Sequence, residues 1–287
     1  MRRRWLRRGL WALGVIVGLS GCVVLAGWWW LRVPSLDVDF PTARERFTRV
    51  LNGEDALEAE ALSSLAGAVE REPENATAHL WYGLANLHGF LRHRERPYAI
   101  RATIALERAV KLDPEDKSAE GWRAFFAYKA AESREQDLDE PRHALLAAAD
   151  ADPRFTPFLA AVSLAKLPLS SGHPARLLPP LEAIEDCGDG TSHRCRTSAL
   201  FPHGAEGYHV TVGDLRLRLG DLSGARRAWQ RALEMESAAT WPYRDEFRAW
   251  ADGAEDRHRR WTDGDGANDP TVFFAHGERA CAMCHRR

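Results

Sequence analysis

The chain has 287 residues, 45% of them hydrophobic, which is enough for one mid-sized domain with a buried core and short appendages. Six of its 39 basic residues lie in residues 1–32, where there is no acid, so the rest of the chain carries 33 basic and 41 acidic side chains. That net charge of −8 makes it a poor nucleic-acid binder, because neutralising phosphates requires a basic face.

Residues 1–33 predict a membrane-spanning segment. Five arginines precede residue 9, and an uncharged, mostly apolar run of 23 residues extends from Gly9 to Leu31. As a helix this run would be about 35 Å long, enough to cross the ~30 Å hydrocarbon core with some tilt. The arginines favour a cytoplasmic start, and the tryptophans at 28–30 suit the opposite interface. We therefore expect a single-pass anchor in a bacterial cytoplasmic membrane, with the bulk of the chain in the periplasm.

A lipid anchor is the alternative for the same segment. The sequence Leu-Ser-Gly-Cys at residues 19–22 resembles the lipobox of bacterial lipoproteins, in which the signal is cleaved before a cysteine, here Cys22, that is then lipidated. The apolar run continues for nine residues past Cys22, whereas a lipoprotein normally begins a polar tether there. Both interpretations place the rest of the chain outside the cytoplasm.

From Asp37 onward the apolar residues recur at helical spacing, which predicts an all-α fold. One local pattern repeats: Ala68, Ala109 and Ala148 each precede a proline by five residues, with an acid just before the proline. The prolines (Pro73, Pro114 and Pro153) are 41 and 39 residues apart, and each should stop a helix. Self-similarity at this period indicates stacked helical hairpins, which we expect over residues 34–260.

Residues 208–234 resemble a tetratricopeptide repeat (TPR). Small residues and aromatics fall on the spacing of that family at Gly213, Gly220, Ala225, Trp229 and Ala232. A second unit, around residues 81–83, carries Ala102, Leu106, Ala109 and Pro114 in its second helix, with about seven extra residues near 92–98. The resemblance covers about 200 residues and implies a groove that holds a peptide or a partner helix.

Residues 167–207 are rich in proline and glycine and predict an irregular stretch between repeats. Cys187 and Cys195 flank seven residues within it. In an oxidising compartment the two most simply form a disulfide, which would stabilise the fold by roughly 2–3 kcal/mol. A metal site that includes His193 is the other possibility.

Residues 261–287 are predicted to form a flexible tail, and Cys281, Cys284 and His285 in it match the C-x-x-C-H pattern that attaches c-type haem. The two thiols bind the vinyl groups of one haem, and the adjacent histidine binds the iron. Phe274 and Gly277 resemble the approach to this motif in small c-type cytochromes. Only Arg286 and Arg287 follow, so a second ligand is expected from the array, another subunit or water. His276 is the nearest candidate in sequence, followed by His203, His209 and His258.

Two alternatives remain for the terminal cysteines. They could form a redox-active or structural disulfide, although the context of a thioredoxin-type site is absent from the sequence. They could also bind zinc with His276 and His285, although the adjacent Cys284 and His285 are awkward as joint tetrahedral ligands.

The sequence contains no phosphate-binding glycine loop, no nucleophile elbow and no H-E-x-x-H helix, so we do not expect an enzyme. The leading hypothesis is a periplasm-facing scaffold that binds a protein partner and presents a C-terminal haem c for electron transfer. The alternative is a non-redox interaction scaffold whose terminal C-x-x-C is a disulfide or metal clasp.

Overall fold

The computed structural model describes residues 33–51, 53–152, 156–165, 167, 169–183, 204–241, 243–270 and 272–273. This part of the chain is helical and contains no strand, which confirms the all-α prediction. Its α-helices, in chain order, are α1 Phe40–Leu51, α2 Glu58–Arg71, α3 Ala76–His93, α4 Arg96–Leu112, α5 Lys117–Ser133, α6 Asp139–Ala151, α7 Thr156–Ser163, α8 His173–Glu182, α9 Gly204–Arg218, α10 Leu222–Glu234, α11 Arg244–Asp252 and α12 Ala254–Thr262.

The repeated alanine and proline pattern marks the ends of α2, α4 and α6. Each helix closes with a backbone hydrogen bond to the carbonyl of the repeated alanine, donated by Glu72 to Ala68, by Asp113 to Ala109 and by Asp152 to Ala148. The capping N···O distances are 2.9, 3.0 and 3.0 Å. Pro73 and Pro114 follow directly, and a proline cannot continue a helix because it lacks an amide hydrogen. The helix ends predicted from this pattern are confirmed.

Side-chain caps begin several of the helices that follow these turns. Asn75 accepts a hydrogen bond from the amide of Ala78 at 3.0 Å, and Asp116 accepts one from Ser118 at 3.0 Å. Such caps satisfy amides that have no partner within the helix and are each worth about 1 kcal/mol.

The helices stack as a continuous array. Each helix from α1 to α10 contacts the next one in the chain, and the odd-numbered helices also contact one another in order, α1 with α3, α3 with α5, α5 with α7 and α7 with α9. Helices α11 and α12 cover the C-terminal end of the array, where α12 contacts both α9 and α10. One apolar core runs from Ala43 to Phe273, because no hairpin can bury its apolar face alone.

Three features differ from the sequence-based expectation. Part of the stretch predicted to be irregular is helix α8, in which Pro174 occupies the first turn, where no intrahelical amide bond is needed. The extra residues near 92–98 extend α3 to His93 and begin α4 at Arg96, so that only Arg94 and Glu95 stand between the two helices. The boundary predicted between residues 260 and 261 falls inside α12, and Val272 and Phe273 return to the core.

Within the described residues, no helix is long and apolar enough to cross a membrane. The predicted anchor, residues 1–33, lies outside them except for Val33.

Gly213 lets α9 and α10 approach closely, since a Cβ atom at this position would overlap the buried indole of Trp229. We expect Gly213→Ala to lower the free energy of unfolding by about 1–3 kcal/mol, because overpacking outweighs the gain in helix propensity. Urea denaturation followed by circular dichroism measures the change. Gly266→Ala is the matched control, since a Cβ there would have its nearest neighbour at 3.9 Å. Equal stability of the two variants would contradict the close packing.

Candidate functional site

Most of the predicted site residues lie outside the described residues. This applies to the possible lipidation site Cys22, to the cysteines Cys187 and Cys195, to Cys281, Cys284 and His285 of the C-x-x-C-H motif, and to His276, the nearest candidate for a second ligand. Of the other histidines proposed as second ligands, His203 is also outside, whereas His209 and His258 are described. Within the described ranges, no group of three or more His, Cys, Asp or Glu side chains could hold a metal ion.

The chain that leads to the C-x-x-C-H motif is fixed to the helical array at Phe273. The ring of Phe273 is only 1% exposed and lies 5.0 Å from the ring of Phe247 and 5.6 Å from that of Trp250. Trp241 completes this contact at 6.4 Å, and Trp229 packs against Phe247 and Trp250 from α10. We call these five residues the aromatic anchor. Burying one phenylalanine side chain contributes about 1.5–3 kcal/mol, so this stretch is a firmly packed part of the fold.

A buried carboxylate holds the backbone at the same point. The amide of Phe273 donates a hydrogen bond to Asp214 Oδ2 at 3.2 Å, across 59 positions in sequence. Burial raises the pKa of Asp214 to about 7, although the Phe273 amide, the charges of Arg257 and Arg218 and the Trp229 indole act to lower it. Arg257 lies on the face of Trp250, 3.6 Å from the ring centroid, and thereby connects the carboxylate to the aromatic anchor.

Asp214 is not among the candidate site residues that the sequence analysis identified, although the sequence carries a signal for its burial. Helix α9 carries apolar residues on every side (Val210, Val212, Leu215 and Leu217, all buried), and a helix that is apolar all round lies inside the protein. An acid in such a helix must be buried too.

A cleft of about 490 Å³ opens between α8, α9 and α12. Its walls come from the start of α8, the end of α9 and the end of α12, and consist of Leu169, Gly172, Pro174, Ala175, Arg218, Leu219, Trp261, Thr262 and Gly264. Arg218 is held in place because its guanidinium donates to the carbonyl of Leu167 at 2.5 Å and lies 5.8 Å from the centroid of Trp261. The cleft is thus lined mainly by apolar residues, with the buried Arg218 as the one charged residue among them.

No family model matches this chain, and no curated protein or solved structure is similar to it. The chemistry of its own residues therefore carries the functional conclusion.

His209 and His258, the two candidate second ligands that the structure describes, differ in their exposure to solvent. His209 is buried at 3% exposure, and its ring centroid lies 5.1 Å from that of Tyr208. His258 is partly exposed, and its Nδ1 donates to the carbonyl of Leu217 at 3.4 Å. Because a carbonyl only accepts, this bond places the proton of the neutral ring on Nδ1 and leaves a lone pair on Nε2. His258 is therefore open to a group that approaches from solvent, whereas His209 is covered by the core.

The anchor, the cleft and His258 are neighbours. Val272 and Arg218 line one small cavity between the tail and α9, and Arg218 also lines the cleft. His258 precedes Trp261 and Thr262 by three and four positions on α12, a spacing that puts all three on one face of the helix. The described end of the chain and the cleft are thus connected through one shared lining residue, Arg218.

Proposed function

We propose that this protein is a membrane-anchored, periplasm-facing scaffold that binds a protein partner and presents a covalently attached C-terminal haem c for electron transfer. The observation that carries the proposal is the fixing of the chain at Phe273, only eight residues before Cys281. A redox group must stay at a defined place to exchange electrons with a docked partner. Burial of Phe273 fixes the point from which the eight residues up to Cys281 extend, and this supports the proposal.

Cys281 and Cys284 would hold the haem through thioether bonds, and His285 would bind the iron from one face. When bound, the haem supplies a one-electron couple between ferrous and ferric iron. The mainly apolar walls of the cleft would suit a flat apolar ring. We propose an electron carrier rather than an enzyme with a substrate pocket of its own.

The array would recruit the partner as a TPR-like solenoid. Its odd-numbered helices contact one another in order and form one row, as the first helices of stacked hairpins do. Glycines lie where paired helices cross: a Cβ at Gly83 would be 2.7 Å from Leu106 Cδ2, and Gly213 faces Trp229 in the same way. These contacts support a TPR-like arrangement, in which the row of first helices lines a groove for a peptide or a partner helix.

The remaining proposals follow from the export of the chain. Residues 1–33 would anchor it as a transmembrane helix, or Cys22 would anchor it as a lipidated cysteine. In the periplasm Cys187 and Cys195 would form a disulfide, and haem attachment at the terminal motif would be chemically possible. Mass spectrometry of the native N-terminus distinguishes the two anchors, since only a lipoprotein begins at a lipidated Cys22.

Haem attachment tests the proposal directly. When the protein is produced with c-type maturation machinery, we expect a haem-stained band that survives denaturation and a mass increased by one haem. Cys281→Ser plus Cys284→Ser should abolish both signals and leave the helical circular dichroism unchanged, because neither residue belongs to the described core.

Cys187→Ser plus Cys195→Ser is the matched control, since it also removes two cysteines but should keep the haem. A colourless wild-type protein of unmodified mass would refute the haem and favour the alternative function, a non-redox interaction scaffold. Loss of the fold in the Cys281/Cys284 variant would identify these residues as a disulfide or metal clasp.

A further inference from the structure

We propose that one buried water molecule binds in a small cavity between α7, α9 and Val272, where it joins Asp214 to Arg218 and helps to hold residues 272–273 against α9. The site consists only of residues that lie within the helical array and at the described end of the chain. The proposal therefore does not depend on haem attachment at the terminal motif.

The cavity has the size of a single-water site. Its volume is about 10 Å³, and a buried water molecule needs about 10–15 Å³, so the space admits no larger ligand. Apolar side chains from three parts of the chain form most of its wall, namely Ala161, Val162, Ala165, Leu215 and Val272. The other lining residues are polar, namely Thr211, Asp214 and Arg218 of α9.

Two buried atoms of these polar residues have no hydrogen-bond partner within the described part of the chain. Asp214 is 5% exposed and accepts the Phe273 amide at Oδ2, but its Oδ1 is buried and unpaired. Arg218 is 3% exposed and donates from its terminal nitrogens to the carbonyls of Ala165 and Leu167, but its Nε is buried and unpaired. Unpaired buried polar atoms are costly, most of all in charged groups, so in proteins they are nearly always bonded to the chain or to ordered water.

Thr211 supplies a third partner on the same face of α9. Thr211, Asp214 and Arg218 are spaced at i, i+3 and i+7, which aligns them along one side of the helix. The hydroxyl of Thr211 donates to the carbonyl of Gly207 at 2.8 Å and therefore keeps its lone pairs for a donor. One water molecule can accept from Arg218 Nε and donate to Asp214 Oδ1 and Thr211 Oγ1. About three hydrogen bonds are usual for a buried water.

Water suits both charged neighbours, whereas a monatomic ion does not. A cation in the cavity would lie beside the guanidinium of Arg218, and an anion would lie beside the carboxylate of Asp214. Water also serves both charge states of Asp214, whose pKa is raised to about 7 by burial. It donates to the carboxylate and accepts from the protonated acid.

Val272 connects this water to the end of the described chain. It is 4% exposed and lines the cavity, so a larger side chain at this position would take the place of the water. Replacing an ordered water by a group that cannot form its hydrogen bonds is unfavourable. A methyl group added here should therefore loosen residues 272–273, whereas a methyl group that filled an empty apolar space would stabilise them.

Crystal structures of the full-length wild type and of Val272→Ile test the proposal. In the wild type we expect a water peak about 2.7–3.2 Å from both Asp214 Oδ1 and Arg218 Nε. Val272→Ile should lose this peak. In solution, limited proteolysis beyond α12 should be about tenfold faster in this variant, the factor that corresponds to one lost buried hydrogen bond. Val50→Ile is the matched control, since Val50 is 2% exposed on α1 and does not line the cavity.

Val50→Ile should keep both the water peak and the cleavage rate of the wild type. The proposed site is refuted if the wild type shows no water peak, if Asp214 Oδ1 bonds directly to Arg218 Nε, or if anomalous scattering identifies the peak as an ion. If the water is present but Val272→Ile is cleaved no faster than the wild type, the proposed role in holding residues 272–273 is wrong.

Discussion

Phe273→Ala is expected to lower the free energy of unfolding by about 3–5 kcal/mol, the range for removing a fully buried aromatic side chain. The ring contacts Trp241, Phe247 and Trp250 at once, and rigid aromatic neighbours cannot collapse into the space that it leaves. Urea denaturation measures the loss. Limited proteolysis should also cut the variant beyond α12, because residues 272–273 are no longer held against α9.

Ile104→Ala provides the comparison, since Ile104 is the most exposed of the large hydrophobic side chains in the described part, at 59%. A surface substitution of this kind changes stability by no more than about 0.5 kcal/mol. If Phe273→Ala were as mild as Ile104→Ala, the tail would not be anchored in the core. The restraint on the haem motif, which carries the proposed function, would then be lost.

The helical array could be predicted from sequence because its signals are local. Ala109, Asp113 and Pro114 lie within six residues of one another, and the structure ends α4 with a hydrogen bond from Asp113 to Ala109. Helix propensity, a closing hydrogen bond and a proline that cannot extend the helix all act over a single turn. The TPR resemblance had pointed to Gly213 and Trp229 within residues 208–234, and the structure places these two residues in contact within one helical hairpin.

The anchor could not be predicted because its parts are distant in sequence. Asp214 and the amide of Phe273 are 59 positions apart, and the polar stretch after Trp261 gave no sign that the chain returns to the core. The structure shows how it returns: the Trp261 indole donates to the carbonyl of Pro270 at 3.0 Å, and Arg260 donates to that of Asn268. Polar composition predicted flexibility, whereas these local bonds close the stretch into a turn.

Helix α8 was missed for a different reason. Pro174, Pro179 and Pro180 suggest an irregular segment, since a proline inside a helix removes a hydrogen bond and clashes with the preceding turn. The packing of Leu177 and Leu181, both fully buried, outweighs this local cost. Tertiary contacts of this kind override intrinsic propensity and are invisible in a single sequence.

The contribution of Asp214 to the free energy of unfolding should fall as the pH rises from about 4 to about 7. In the unfolded chain this carboxyl titrates near pH 3.9, but in the folded protein its pKa is raised to about 7. Between these values the folded state binds a proton that the unfolded state has released. Each unit of pH therefore lowers the free energy of unfolding by up to about 1.4 kcal/mol, or by about 4 kcal/mol over the whole window. The loss levels off above the pKa of the folded state.

His173 produces a slope of the opposite sign. Its pKa is lowered to about 4 by burial, so the unfolded chain binds the extra proton and stability rises with pH over part of the same window. The pH dependence of the wild type alone therefore does not isolate the contribution of Asp214. The difference in free energy of unfolding between wild type and Asp214→Asn does isolate it, because His173 is the same in both proteins and its contribution cancels.

Asp214→Asn keeps an oxygen that can accept the Phe273 amide but removes the ionisable group. The stability of this variant relative to the wild type should rise steadily with pH across the window. Asp252→Asn is the control, because it removes an exposed carboxylate on α11, and its plot of stability against pH should run parallel to that of the wild type. Urea denaturation at several pH values between about 4.5 and 7.5 measures the three curves. Parallel curves for Asp214→Asn and wild type would show that water reaches this carboxyl. The tail would then not cover it, so the same experiment also tests the closure of the chain over α9.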